Sequence, residues 1–206
     1  MRFLITAGGT REYIDPVRFI SNASSGRMGY ALARAALKAG HDVTLITAAS
    51  GLRVPTGAKA VAVESAAEMF AAVKAHFGAC DCLIMAAAVA DYTPARPSKT
   101  KIKKADGRAG LTLQLKPTAD ILRWAGRHKS QGQIVVGFAL EDKDLRSRAE
   151  EKLRDKHLDM IVANAPEAIG AERSEVQVKE AGGEWTTIGG TKATIAQRII
   201  RLAEGR

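Results

Sequence analysis

Four lysines crowd into the six residues Lys99-Thr-Lys-Ile-Lys-Lys104. Point charges on flexible stems suit a group that must follow a reacting phosphoryl oxygen, and they suit a solvated surface run equally well. A second cationic set, Arg148, Lys152 and Lys156, recurs every four residues. One helix would carry all three on a single stripe beside an apolar stripe of Leu145, Ala149 and Leu153. Glu151 and Asp155 would fit the same helix facing only water. Asp91 closes the apolar run Ala86-Ala-Ala-Val-Ala-Asp91, so a buried strand would deliver one carboxylate at its C-terminal end, where open α/β sheets bind ligands. Taken alone, Asp91 reads as readily as the cap of a turn. Two glycine-bearing segments, Thr6-Ala-Gly-Gly-Thr10 and Ser21-Asn-Ala-Ser-Ser-Gly-Arg-Met-Gly29, offer close backbone approach and free amides for a phosphate. An ordinary strand-to-helix connection capped by Ser24 or Ser25 would use the same residues.

The elements that must position these groups follow from periodicity. Residues 2–7 and 42–47 are short apolar runs around a stretch, 26–39, in which Met28, Leu32, Ala35 and Ala39 stand at helical spacing before Gly40. Further strands are predicted at 60–63 and 82–88, with a helix at 66–77 between them. Strands buried on both faces read as continuous apolar runs, which predicts a mostly parallel sheet with helices on each side. The rhythm breaks over 92–110, where Pro94, Pro97 and six Lys or Arg leave no period. This predicts a mobile basic flap. Alternation resumes at Leu111-Thr-Leu-Gln-Leu115, then helix 118–128, strand 133–138, helix 143–156 and strand 159–163. A hairpin with strands near 175–179 and 184–188 precedes a C-terminal helix carrying Ile195, Ile199 and Leu202. The expected architecture is a single α/β domain over 1–206, a Rossmann-like three-layer sandwich with a basic flap and a C-terminal hairpin.

Composition narrows the function classes. At 206 residues and 46% hydrophobic content, the chain can bury a full core. No stretch is long and apolar enough to span a membrane, and the N-terminus lacks the layout of a secretion signal, so a cytoplasmic protein without membrane partners is expected. Cys80 and Cys82 are expected as buried, unpaired thiols, and the four histidines show no metal-ligand spacing. A net charge of +9 implies an anionic partner, either nucleic acid or a small phosphorylated molecule. The low aromatic content, 5%, offers few stacking platforms and speaks against nucleic acid. An NAD(P)-dependent reductase would share the sheet, but both GxGxxG and a Tyr-x-x-x-Lys pair are absent.

Taken together, ITAGGTRE, DPVRFISNASSGRMG, AAAVADY, KIKK and VVGFALE, followed by the lysines of the basic helix, resemble the phosphopantothenoylcysteine synthetase family of coenzyme A biosynthesis over nearly the whole chain. The resemblance implies a two-step ligation. The carboxylate of 4′-phosphopantothenate attacks the α-phosphate of CTP with loss of pyrophosphate, and the amine of cysteine then displaces CMP from the acyl-cytidylate.

By the same resemblance, Lys101 assists acyl-cytidylate formation and Asn22 carries the intermediate to product. Arg18 and the Ser24, Ser25, Gly26 helix start meet the substrate phosphate, and Ala88 lies against the pantothenate. Gly8, Gly9, Met85, Ala86, Ala87 and Asp91 bind the nucleotide. Ala119, Asp120, Ile121 and Leu122 recognise the base beside Phe138, while Lys152 and Lys156 meet the nucleotide from their helix. Magnesium accompanies the triphosphate, and family sites are completed across a homodimer. Because the chain begins at the synthetase's first strand, no decarboxylase activity and no FMN are expected. The chain departs from the family pattern at Ala163-Asn-Ala165 and over 169–176. CTP against ATP stays open.

Overall fold

The structure, a computed structural model, describes residues 1–48, 51–104, 110–166, 171 and 173–205. Its centre is an eight-stranded sheet. The first three strands are β1 (Arg2–Ala7), β2 (Arg11–Tyr13) and β3 (Phe19–Ser21), followed by α1 (Arg27–Lys38), β4 (Asp42–Thr47), β5 (Lys59–Ala62), α2 (Ala66–Phe77) and β6 (Cys82–Met85). Next come β7 (Tyr92–Pro94), β8 (Leu115–Pro117), α3 (Ile121–His128), β9 (Ile134–Leu140), α4 (Leu145–Asp155) and β10 (Met160–Asn164). The chain closes with β11 (Arg173–Glu180), β12 (Trp185–Thr191) and α5 (Lys192–Glu204).

Across the large sheet the order is β12-β11-β10-β9-β6-β1-β4-β5. Every neighbour pair from β5 to β10 is parallel, and the β11–β12 hairpin adds antiparallel strands at one edge. The chain winds outward from β1 through β4 to β5, then returns to the other side of β1 with β6. Strand order therefore reverses between β1 and β6, which opens a crevice beyond their C-terminal ends.

Alternation along β1 builds both cores. Phe3, Ile5 and Ala7 face a layer made by α1 and α5, where Leu32, Ala36, Ile195 and Ile199 are fully buried. Leu4 faces the opposite layer with Met69, Val73 and Phe77 of α2, Leu122 of α3 and Leu153 of α4. Each buried aliphatic or aromatic side chain of this kind contributes about 1.5–3 kcal/mol. Gly29 sets the closeness of α1 to β1: a Cβ there would lie 2.5 Å from the Ala7 Cβ and 2.9 Å from the Thr6 carbonyl oxygen. Both cysteines are free and buried, as expected, and burial pushes the Cys80 thiol up to about 11.

Three expectations change. The apolar run 82–88 is strand only to Met85, because the chain leaves the sheet to follow the ends of its neighbours. Leu111 and Leu113 are exposed rather than paired, and the strand in that region is Leu115–Pro117, antiparallel to β7. The described part of the basic segment is tethered: the Ser98 amide donates to the Ile14 carbonyl (2.8 Å) and the Ile102 amide to Asp15 Oδ2 (3.1 Å). The remainder of the expected flap, 105–109, and residues 167–170 and 172 of the altered region 163–176 lie outside the described residues.

Candidate active site

A cavity of about 890 Å³ occupies the switch-point crevice. Ligand pockets of about 300–1,000 Å³ hold small molecules, so this one can take a nucleotide and part of a second substrate. Its walls come from segments far apart in sequence. Asn22, Ser24, Ser25 and Gly26 enter from the connection into α1, and Met85, Ala86, Ala87, Ala88 and Asp91 from the segment that leaves β6. Ala119, Asp120, Ile121 and Leu122 form the opposite wall with Phe138, and Lys152 and Lys156 project from α4.

Two buried threonines hold the 86–90 segment in place. Thr6 Oγ1 accepts from the Ala87 amide (3.1 Å) and Thr10 Oγ1 from the Ala90 amide (2.9 Å). They bound the glycine-bearing segment Thr6–Thr10, but sequence reading assigned neither hydroxyl a role of its own. Asn22 Nδ2 donates to the carbonyls of Ala88 (3.1 Å) and Val89 (3.2 Å), which joins the two loops across the crevice. Gly8 and Gly9 do not line the cavity. The Gly8 carbonyl accepts from the Ala88 amide (2.8 Å), and a Cβ on Gly9 would lie 2.7 Å from the Asn22 carbonyl oxygen. The small size of Gly9 and the φ of 88° at Gly8 let the loops pack together, a role the bare glycine pattern did not separate from ligand approach.

On the far wall, Asp120 caps α3, its side chain accepting from the Arg123 amide (2.9 Å). This is why the helix starts at Ile121 rather than near 118. Lys156 Nζ pairs with Asp120 at 3.0 Å. Burial pushes the Asp120 carboxyl up, but the Arg123 amide and Lys156 outweigh it and hold the group below its ordinary value. Lys152 Nζ donates to the Phe138 carbonyl (2.7 Å). Burial, reinforced by Lys156, lowers the pKa of the Lys152 ammonium, against the opposing pull of Glu141, Asp120 and Asp91. Two ammonium groups held one turn apart at a cavity wall favour an anionic ligand.

Arg18 and Lys101 lie outside the cavity wall. Arg18 bonds Asp15 through its guanidinium and donates to the Ile102 carbonyl (2.7 Å). Asp15, 1% exposed, also accepts from the amides of Val17 and Arg18 at 2.9 Å each. The Arg18 guanidinium is the main reason the Asp15 carboxyl stays well below the usual carboxylate range; burial opposes it and the backbone amides assist it. Asp15 thus anchors the residue next to Lys101 to the turn between β2 and β3. Sequence reading missed it, although Asp-Pro-x-Arg is a turn pattern with a mechanism. Among the described residues no cluster of three His, Cys, Asp or Glu side chains could hold a metal ion, and no helix is long and apolar enough to cross a membrane.

Fold and crevice together define a Rossmann-like α/β protein with a cavity lined by two lysines of α4 at its switch point. The chain belongs to the family described as the DNA/pantothenate metabolism flavoprotein C-terminal domain, whose model matches residues 1–205. It is 51% identical over 169 residues to the coenzyme A biosynthesis bifunctional protein CoaBC of Bacillus subtilis, covering 82% of this chain and 41% of that protein. It is 42% identical over 217 residues to the Mycobacterium tuberculosis protein of the same name, covering 97% of this chain and 51% of the relative. The chain therefore spans about half the length, or less, of these curated relatives. A crystal structure of the C-terminal domain of a CoaBC protein superposes with a TM-score of 0.84 at 38% identity, covering 99% of this chain and 94% of that one. The family read from the motifs is borne out.

Proposed function

We propose that this chain is a ligase that joins 4′-phosphopantothenate to cysteine at the expense of CTP. One observation carries the reading: the switch-point cavity gathers Asn22, the 85–91 segment, the 119–122 wall and two α4 lysines, all assigned from the motif resemblance, into one space of nucleotide size. The similarity to the C-terminal domain of CoaBC supports it.

The nucleotide base rests against the 119–122 wall beside Phe138, with Lys152 and Lys156 toward its phosphates. The α-phosphate then lies near the loop that Asn22 closes. The pantothenate carboxylate comes in over Ala88, and Arg18 and Lys101 approach from the β2–β3 side. In the first step the carboxylate oxygen bonds the α-phosphorus and pyrophosphate leaves with the electron pair. Lys101 opposes the charge that builds on the phosphates. In the second step the cysteine amine adds to the acyl carbon, loses its proton, and CMP leaves. For Asn22 to donate to the oxyanion of that step, its Nδ2 must exchange a carbonyl partner for the substrate oxygen. Magnesium, if bound with the triphosphate, would supply neutralisation of part of its charge. Of the carboxylates lining the cavity, Asp120 and Glu141 pair with Lys156 and Arg148, which leaves Asp91, without an ion pair among the described residues, as the one that would meet the ion. The working unit is a homodimer.

Mixing the protein with CTP and 4′-phosphopantothenate, without cysteine, is expected to yield an acyl-cytidylate detectable by mass spectrometry. Cysteine should convert it to amide and CMP. Absence of the intermediate, with or without cysteine, would reject the reading.

A further inference from the structure

Lys101 is exposed and has no ion pair among the described residues, yet the chain on both sides of it is held. Before it, the Ser98 hydroxyl donates to the Thr100 carbonyl (2.6 Å) and accepts from the Thr100 amide (3.3 Å), while the Ser98 amide donates to the Ile14 carbonyl (2.8 Å). After it, Ile102 is gripped through both of its backbone polar groups. Its amide donates to Asp15 Oδ2 (3.1 Å) and its carbonyl accepts from Arg18 Nη2 (2.7 Å). The two gripping side chains are themselves an ion pair on the β2–β3 turn, which the Ile14 amide closes by donating to the Arg18 carbonyl (2.8 Å). Asp15 is where the clamp converges. Its side chain has no exposure, and a carboxylate buried in this way is costly unless fully hydrogen-bonded. Donors from the turn and from the basic segment together satisfy it: the amides of Val17, Arg18 and Ile102, and the Arg18 guanidinium. Arg18, with its side chain 45% exposed, spends Nε and Nη2 on the clamp, and its Nη1 has no partner among the described residues. A lysine run that served only as a solvated surface would need no buried anion to fix its backbone.

We propose that Asp15 is a positioning residue for the first reaction step: with Arg18 it clamps Ile102 and so sets where Lys101 stands when the carboxylate attacks the α-phosphorus. The proposal rests on the ligase reading. Asp15 touches no substrate and moves no proton. Its effect reaches the chemistry through the backbone, because a lysine side chain on a fixed Cα has less freedom to lose when its ammonium meets the phosphates. The clamp belongs to the step that Lys101 assists and not to the later attack of the cysteine amine, which the Asn22 loop serves.

Amide hydrogen exchange on the whole chain reads the clamp directly. The Ile102 amide is expected to be protected in the wild type and to exchange about tenfold faster or more in Asp15→Asn, whose side chain presents N–H groups where the carboxylate accepted. Single-turnover acyl-cytidylate formation from CTP and 4′-phosphopantothenate should slow about 10- to 100-fold in the same variant. Cysteine added to enzyme already charged with the intermediate should react within about twofold of the wild-type rate. In a Lys101→Gln background Asp15→Asn should cost no more than about threefold, because the lysine it places is gone. Ile102→Pro keeps both clamping side chains and deletes the amide that Asp15 holds, on an exposed segment where the fold is not at stake. It should reproduce the slow first step with a melting temperature within a few degrees of wild type. An Ile102 amide that exchanges as freely in the wild type as in Asp15→Asn overturns the proposal. So does a normal first step in either variant, an equal slowing of both steps, or the full loss in the Lys101→Gln background, which would make Asp15 a residue of the fold alone. If amide exchange behaved as expected but the wild type formed no acyl-cytidylate, the clamp would stand and the ligase reading, with the part of Asp15 in it, would fall.

Discussion

Substituting Lys152 by methionine separates what this lysine does for the nucleotide from what it does for the fold. Its ammonium group donates to the Phe138 carbonyl at 2.7 Å, with Lys156 one turn away and Asp91, Asp120 and Glu141 acting on it electrostatically. A hydrogen bond to a charged group contributes about 1.5–3 kcal/mol. A cation and a phosphate oxygen about 4 Å apart at an effective dielectric of about 20 attract by about 4 kcal/mol before Lys156 compensates. The nucleotide is therefore expected to lose about 1.5–3 kcal/mol, or about 10- to 100-fold in affinity. The fold responds differently. The folded pKa of this lysine is lowered, so its charged form is a cost to stability that is fully present below the folded pKa and fades as pH rises toward the unfolded value of about 10.4. Methionine removes that cost and fills similar volume but gives up the bond to the Phe138 carbonyl, so the two effects offset and the ligand-free melting temperature at pH 7 should hold within a few degrees. Calorimetry with CTP and thermal melts of the ligand-free variant measure both. A CTP affinity within twofold of wild type, or a collapse in melting temperature, would refute the reasoning.

Other perturbations probe the remaining parts. Asn22→Asp is expected to let pyrophosphate release proceed while acyl-cytidylate accumulates; quench-flow with mass detection would show it, and steady turnover at the normal rate would contradict the role. Lys101→Gln should instead slow intermediate formation itself, read as single-turnover pyrophosphate release. Gly29→Val places a side chain where Ala7 Cβ lies 2.5 Å from an ideal Cβ. Overpacking of this kind costs about 1–3 kcal/mol, which lowers the melting temperature by about 2–12 °C. Asp15 has a folded pKa depressed below its unfolded value of about 3.9, so its contribution is fully present above that value and is lost as pH falls toward the folded pKa. The stability gap between wild type and Asp15→Asn should therefore be widest at neutral pH and shrink below about pH 4, measured by thermal melts down to pH 2.5.

Much of the scaffold was legible because long elements carry their own period. The stripe Met28, Leu32, Ala35 located α1, and the apolar runs 2–7 and 42–47 coincide with β1 and β4. The three-residue pairs β2–β3 and β7–β8 were not legible, since three residues show no period and their pairing depends on partners distant in the chain. Leu111 and Leu113 alternated without forming a strand because a period of two marks a face only where something covers it. The crevice followed from strand order, yet the agents that shape it did not. Thr6 and Thr10 act through backbone amides some eighty residues away.

The central claim concerns what the crevice does to a triphosphate, and a pyrophosphate-release assay with CTP and ATP in parallel tests it most directly. The account predicts release with CTP that requires 4′-phosphopantothenate but not cysteine, followed by CMP release only when cysteine is added. Release that ignores 4′-phosphopantothenate, or no release with either nucleotide, would contradict it.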